Sequence, residues 1–240
     1  MADEQSEHIV KSYGAALRRL RDMAATMGGM VESQTNDAVT ALVRRDTALA
    51  ARVVEGDPRV DEMEREIENF AIELLALRQP MAADLRVIVA ALKIAGDLER
   101  IGDYAANAAK RALVLSQLPP VSSLNGFQRM SRMVLQNLKS AIDALVEGDA
   151  DKASEVWRSD ASIDEIYNGI FRELLTHMME DPRNITAATH LLFIAKNLER
   201  VGDHATNIAE LVHYAVKGEE LSADRPKGDT SAFAVVRPRD

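Results

Sequence analysis

Two stretches decide the fold: DLERIGDYAANAA at 97–109 and NLERVGDHATNIA at 197–209. Each carries Glu-Arg-x-Gly-Asp, so Glu99 is matched by Glu199 and Asp103 by Asp203. A motif recurring in one chain raises the question of whether a whole unit is duplicated. ALVRRD at 41–46 matches ALVEGD at 144–149, and VDEM at 60–63 matches IDEI at 163–166, both at an offset of 103. From Asp84 against Asn184 onward the offset is 100. The change falls between Leu77-Arg-Gln-Pro80 and Met178-Met-Glu-Asp-Pro182, where a loop belongs. A length difference confined to a loop is the mark of a duplicated supersecondary unit.

Composition says what kind of unit. Hydrophobic residues are 47% but aromatics only 4%, a mixture rich in Ala, Leu and Val that favours helices over a β-sandwich. Each copy reads as three helices, giving an all-α chain of two tandem, sequence-related three-helix bundles at 8–118 and 124–217. In the first, a helix from about His8 to Arg45 is expected to bend at Gly28-Gly29. Asp46 then caps a helix to about Arg78, with a kink near Asp57 imposed by Pro58. The third runs from about Ala82 to Ser116. The second copy gives Phe127–Glu147, Asp149–Met179 and Asn184–Lys217. Residues 218–240, rich in Gly, Pro and charge, read as a disordered tail whose Phe233-Ala-Val-Val236 offers an apolar patch.

Several function classes drop out. The formal charge of -9 disfavours general nucleic-acid binding, which needs basic surface. There are no cysteines, so neither disulfides nor thiolate metal sites arise. No apolar run approaches the about 20 residues a membrane span needs, and the acidic start resembles no signal peptide. A cytoplasmic protein is expected. No GxxxxGK[ST], GxGxxG or GxSxG occurs, and Glu210-Leu-Val-His213 is a lone ExxH, where a di-iron bundle needs two.

On a helical wheel, Val87, Ala91, Ile94, Leu98, Ile101, Ala105, Ala108, Ala112 and Leu115 form an apolar seam. Arg86, Lys93, Asp97, Arg100, Tyr104 and Arg111 form the stripe expected to be solvated. Glu99 and Asp103 belong to neither. They share a flank of mostly apolar or small residues, as Glu199 and Asp203 do. Like charges at i and i+4 repel, and on such a flank they need a positive answer. Gly102 and Gly202, one before each Asp, suggest close approach by a backbone or a ligand. The neighbouring helices supply Asp57 and Asp61, and Asp160 and Asp164, again at i and i+4. Asp61 to Pro80 and Pro80 to Glu99 are each 19 residues, so the pairs come level in an antiparallel hairpin. Four carboxylates per copy suit a hard cation: Fe, Mn or Mg, with Zn less typical. Acidic pairs on a solvated face, or a carboxylate-bridged di-metal enzyme, are the alternatives.

QPMAADLR at 79–86, with the two Glu-Arg-x-Gly-Asp blocks, resembles the PhoU family over about residues 8 to 217. The resemblance implies two similar three-helix bundles side by side, often dimeric, in a protein that is not an enzyme. It implies metal binding, with multinuclear iron or zinc in some members and Mg or Mn in others. By motif position the ligands would be Glu99, Asp103, Asp57 and Asp61, then Glu199, Asp203, Asp160 and Asp164. It implies a cytoplasmic regulator working with a phosphate ABC transporter, through its ATPase subunit, and a sensor histidine kinase, restraining uptake and the starvation response when phosphate is plentiful. Contact with the membrane would be indirect, through the transporter, and no nucleic acid is involved. One departure is visible: Asp181-Pro-Arg-Asn-Ile stands where the first copy has the QPxAxDLR block.

Overall fold

The computed structural model describes residues 2–78, 82–120 and 124–221, with side chains from Tyr13 onward. The expected tail falls mostly outside these residues. Helix α1 (Ala2–Arg44), α2 (Thr47–Arg78) and α3 (Ala82–Leu115) make the first repeat. The second comprises α4 (Asn125–Glu147), α5 (Ala150–Ser159), α6 (Ala161–Glu180), a 3-10 turn (Pro182–Asn184) and α7 (Ile185–Lys217). No strand occurs among the described residues.

The boundaries follow local chemistry. Asp46 Oδ1 accepts from the Leu49 amide at 2.9 Å, and Asp149 Oδ1 accepts from Asp151 and Lys152 at 2.9 and 3.0 Å. Both aspartates thus serve otherwise unpaired N–H groups at helix starts. The chain turns out of α4 at Gly148, where φ is +66°, a conformation glycine adopts without strain. At the equivalent position the first repeat has Arg45, φ +55°. Its Nη2 donates to the Ser116 and Leu118 carbonyls at 2.8 and 2.6 Å, tying that corner to the end of α3.

One expectation about helix continuity is corrected. The helix expected over Asp149–Met179 is two elements, α5 and α6, meeting at Asp160. The Ile163 amide there bonds the Asp160 carbonyl three residues back, the tighter 3-10 pattern, while Asp160 Oδ1 accepts from Thr206 Oγ1 on α7. The counterpart α2 contains Pro58 yet runs as one element. Pro58 lies on its exposed face, where water can serve the carbonyl that loses its donor. Helix α1 likewise runs as one element through Gly28-Gly29.

The repeats share one core. Met27, Val31, Ile67, Ile94, Leu98 and Ile101 are buried in the first repeat and Met130, Leu138, Ile163, Leu191 and Ile194 in the second, all in one apolar cluster. They meet through α3 against α7 and α1 against α4. This contact widens the buried face of α3: Ile88, Ala95 and Ala109 are buried besides the expected seam, while Val87 at its upper end is half-buried. No helix among the described residues is long and apolar enough to cross a membrane.

Candidate functional site

Each repeat builds its acidic face the same way. Gly102 packs under Val60 and Val31: a Cβ there would lie 3.2 and 3.6 Å from their methyl carbons. Gly202 packs under Ile163 and Val134 at 3.0 and 3.8 Å. The four neighbours are themselves equivalent positions at an offset of 103. The glycines therefore admit apolar side chains of the adjoining helices, and that close packing brings the carboxylates of those helices together.

In the first repeat, Asp57 and Asp61 on α2 face Glu99 and Asp103 on α3. Burial, then the charges of Asp103 and Asp61, hold the Asp57 carboxyl above the usual carboxylate range, against the pull of Lys110. Burial and then Asp103 do the same to Glu99, with Glu64 and Asp61 adding to it. Glu64, which the motif reading did not single out, is a fifth member; burial, Glu68 and Asp61 raise it too. Arg100 approaches from the solvent side, 3.5 Å from Glu99 and 3.4 Å from Asp103. Gln34 of α1 completes the wall, its Oε1 buried without a hydrogen-bond partner beside Gly102. The face is open: the Asp61 and Asp103 side chains are 42% and 39% exposed.

The second repeat brings Asp164 and Asp203 to Glu199, while Asp160 is bonded to Thr206 of α7. Here Asp160, Asp164 and Glu199 are only 3–5% exposed. Burial raises Glu199 most, Asp203 and Asp164 add to it, and the hydrogen bond from Lys196 opposes it. Lys196 Nζ sits 2.7 Å from Glu199 Oε1, leaving Oε2 buried with no hydrogen-bond partner.

Seven of the eight candidate carboxylates thus fall on the two facing helix pairs, and Asp160 on the junction that opens α6. As they stand, no group of three or more His, Asp or Glu among the described residues is arranged to hold one metal ion. Hard oxygen donors, with Asp57, Glu64, Glu99 and Glu199 held above the ordinary carboxylate range by burial and neighbouring charge, lie beside the buried unpartnered oxygens of Gln34 and Glu199 and have the chemistry of a cation ligand set.

The stripe expected to be solvated is partly an interface. Asp97 Oδ1 lies 2.6 Å from His204 Nδ1 and 3.5 Å from Asn207 Nδ2 of α7. Tyr104 packs on the His204 ring with centroids 5.6 Å apart. Arg111 covers the Phe193 ring at 4.0 Å and reaches His190 at 3.4 Å. Lys93 and Arg100 remain exposed. The lone ExxH is structural: Glu210 accepts from Trp157 Nε1 at 2.9 Å, and His213 lies 3.2 Å from Ser154 Oγ. Trp157 is accordingly an interface residue between α5 and α7.

Fold and site together define a class: a duplicated helical bundle in which each repeat sets a Glu-x-x-x-Asp helix against a pair of aspartates four residues apart on its hairpin partner. The chain belongs to the PhoU family, whose PhoU domain model matches residues 24–112 and again 127–212. It is 55% identical over 225 residues to a Caulobacter vibrioides (strain NA1000 / CB15N) protein named phosphate-specific transport system accessory protein PhoU homolog. That alignment covers 93% of this chain and 98% of that one. A Rhizobium meliloti (strain 1021) protein of the same name is 45% identical over 231 residues, covering 95% and 98% of the two chains. The crystal structure of PhoU from Pseudomonas aeruginosa superposes with a TM-score of 0.82 at 42% identity, covering 86% of this chain and all of that one. These relatives are named as accessory proteins rather than as enzymes.

Proposed function

We propose that this chain is a regulatory adaptor of phosphate homeostasis. It restrains phosphate uptake and the phosphate-starvation response by linking a phosphate ABC transporter, through its ATPase subunit, to a sensor histidine kinase. The observation that carries this reading is relatedness over nearly the whole chain to accessory proteins of the phosphate-specific transport system. The adaptor acts in the cytoplasm as a homodimer, without catalysis of its own, and meets the membrane only through the transporter.

The acidic faces supply its cofactor chemistry. Asp57, Asp61, Glu99 and Asp103, with their counterparts Asp160, Asp164, Glu199 and Asp203, are the residues that would hold divalent or trivalent ions. Iron, manganese, magnesium and zinc are the candidates, singly or as a cluster. When bound, such an ion neutralises facing carboxylates and clamps α2 to α3, holding an adaptor surface in shape. The chain's own part is to hold those carboxylates close and several of them partly desolvated, which raises the demand for a positive partner.

Co-purification with the transporter tests the proposal. The tagged full-length chain is expected to retain the transporter's ATPase subunit from phosphate-replete cells and to slow phosphate uptake when overproduced. Recovery of neither the ATPase subunit nor the kinase, with uptake unchanged, would overturn it.

A further inference from the structure

The two acidic faces are duplicated, but their charge balance is not. At an offset of 100, Gly96 in the first repeat corresponds to Lys196 in the second; at 103, Glu64 corresponds to Tyr167. These two differences are one difference in space. A Cβ on Gly96 would lie 3.7 Å from Glu64 Oε1, and Lys196 Nζ lies 5.0 Å from the centroid of the Tyr167 ring. The same contact between neighbouring helices is Gly96 on Glu64 in one repeat and Lys196 on Tyr167 in the other. The first repeat has a fifth carboxylate and no lysine there; the second has a lysine and one carboxylate fewer.

From this exchange we infer that Lys196 is the built-in cation of the second repeat, so that metal binding is confined to the first. This rests on the cation reading proposed above and assigns it to one repeat. Three observations converge on Lys196. Its ammonium makes a 2.7 Å charge-assisted bond to Glu199. It lies over the ring of Tyr167, a residue only 5% exposed, whose face provides a negative surface at low dielectric. Asp160, Asp164 and Glu199 are shielded from solvent, where an ion would have to shed its water to enter. A tethered ammonium at that position needs no such entry, and its charge repels an arriving cation.

The first repeat is the converse. Its positive neighbours Arg100 and Lys110 are both exposed; Arg100, 60% exposed, approaches from outside, 3.4–3.5 Å from Glu99 and Asp103, free to swing into water. Gly96 leaves beside Glu64 the space that Lys196 fills in the other repeat. An open, five-carboxylate face without an internal cation is the one a hydrated metal ion can reach.

Mn2+ titration of the chelator-stripped full-length protein, followed by electron paramagnetic resonance and calorimetry, tests this. In wild type, binding is expected to be lost on Asp57→Asn with Asp103→Asn and kept on Asp160→Asn with Asp203→Asn. Lys196→Met should add Mn2+ binding to the second repeat, abolished again by Asp203→Asn. Gly96→Lys, at a position with room for a side chain, should weaken Mn2+ at the first repeat by about tenfold or more. If Lys196→Met keeps its helical circular dichroism and gains no Mn2+, the inference is overturned. If that variant does not fold, unchanged affinity in Gly96→Lys overturns it instead. Wild type that binds no Mn2+ while Lys196→Met binds it would leave Lys196 as the built-in cation and remove only the cation reading of the first repeat.

Discussion

Gly28 shows what one missing side chain does. A Cβ there would lie 2.7 Å from Ile142 Cδ1 and 2.8 Å from Cγ1, so the glycine sets how closely α1 and α4 approach. An alanine gains about 1 kcal/mol of helix propensity, but overpacking a filled contact costs about 1–3 kcal/mol. Gly28→Ala is therefore expected to lower the thermal midpoint, and Gly28→Ala with Ile142→Ala to lose less than the sum of the two single changes. A higher midpoint for Gly28→Ala would show that the contact yields freely. The sequence points to a special role for this glycine but suggests a bend, because the partner residue is over a hundred positions away. Gly29 beside it meets nothing within 4 Å, and only the fold tells the two apart. Lys196 is hidden for the same reason: a lysine for a glycine looks like drift until each is seen against Tyr167 or Glu64.

At the scale of elements, α2 and α3 are held together against their own charges. Asp57 and Glu99 have carboxyls raised above their ordinary values of 3.8 and 4.5. The folded state thus binds these protons more tightly than the unfolded chain does. Their contribution to stability is fully present below the unfolded values and is lost as pH rises through the raised folded ones. In chelator, Asp57→Asn with Glu99→Gln should raise the melting temperature at pH 7, and the gain should vanish near pH 4. Metal affinity of the wild-type protein should fall over the same acid range, because protons and metal compete for the same oxygens. A variant less stable than wild type at pH 7 in chelator would contradict the account. The facing of these helices was legible in advance, because equal residue counts on either side of the Pro80 turn bring Asp61 level with Glu99. The division of α5 from α6 was not: it arises where Asp160 is bonded across to Thr206, a long-range contact without local signature.

At the scale of the molecule, duplication was legible from matched motifs and a change of offset confined to one loop. What was not legible is how the copies meet. Asp97, Tyr104 and Arg111 are polar, and on an isolated wheel polar residues read as solvated. Their partners His204, Phe193 and His190 lie on the equivalent helix of the other copy, so the seam between repeats is polar at its edge and apolar within. This contact makes one body of two bundles, and the proposed adaptor has an open acidic face in one repeat and a lysine-neutralised one in the other. The central claim, that the chain holds the phosphate-starvation response off, is tested most directly by deleting its gene and measuring alkaline phosphatase expression in phosphate-replete cells. Expression should rise well above wild type and return to it when the intact gene is restored; unchanged expression in the deletion strain would contradict the account.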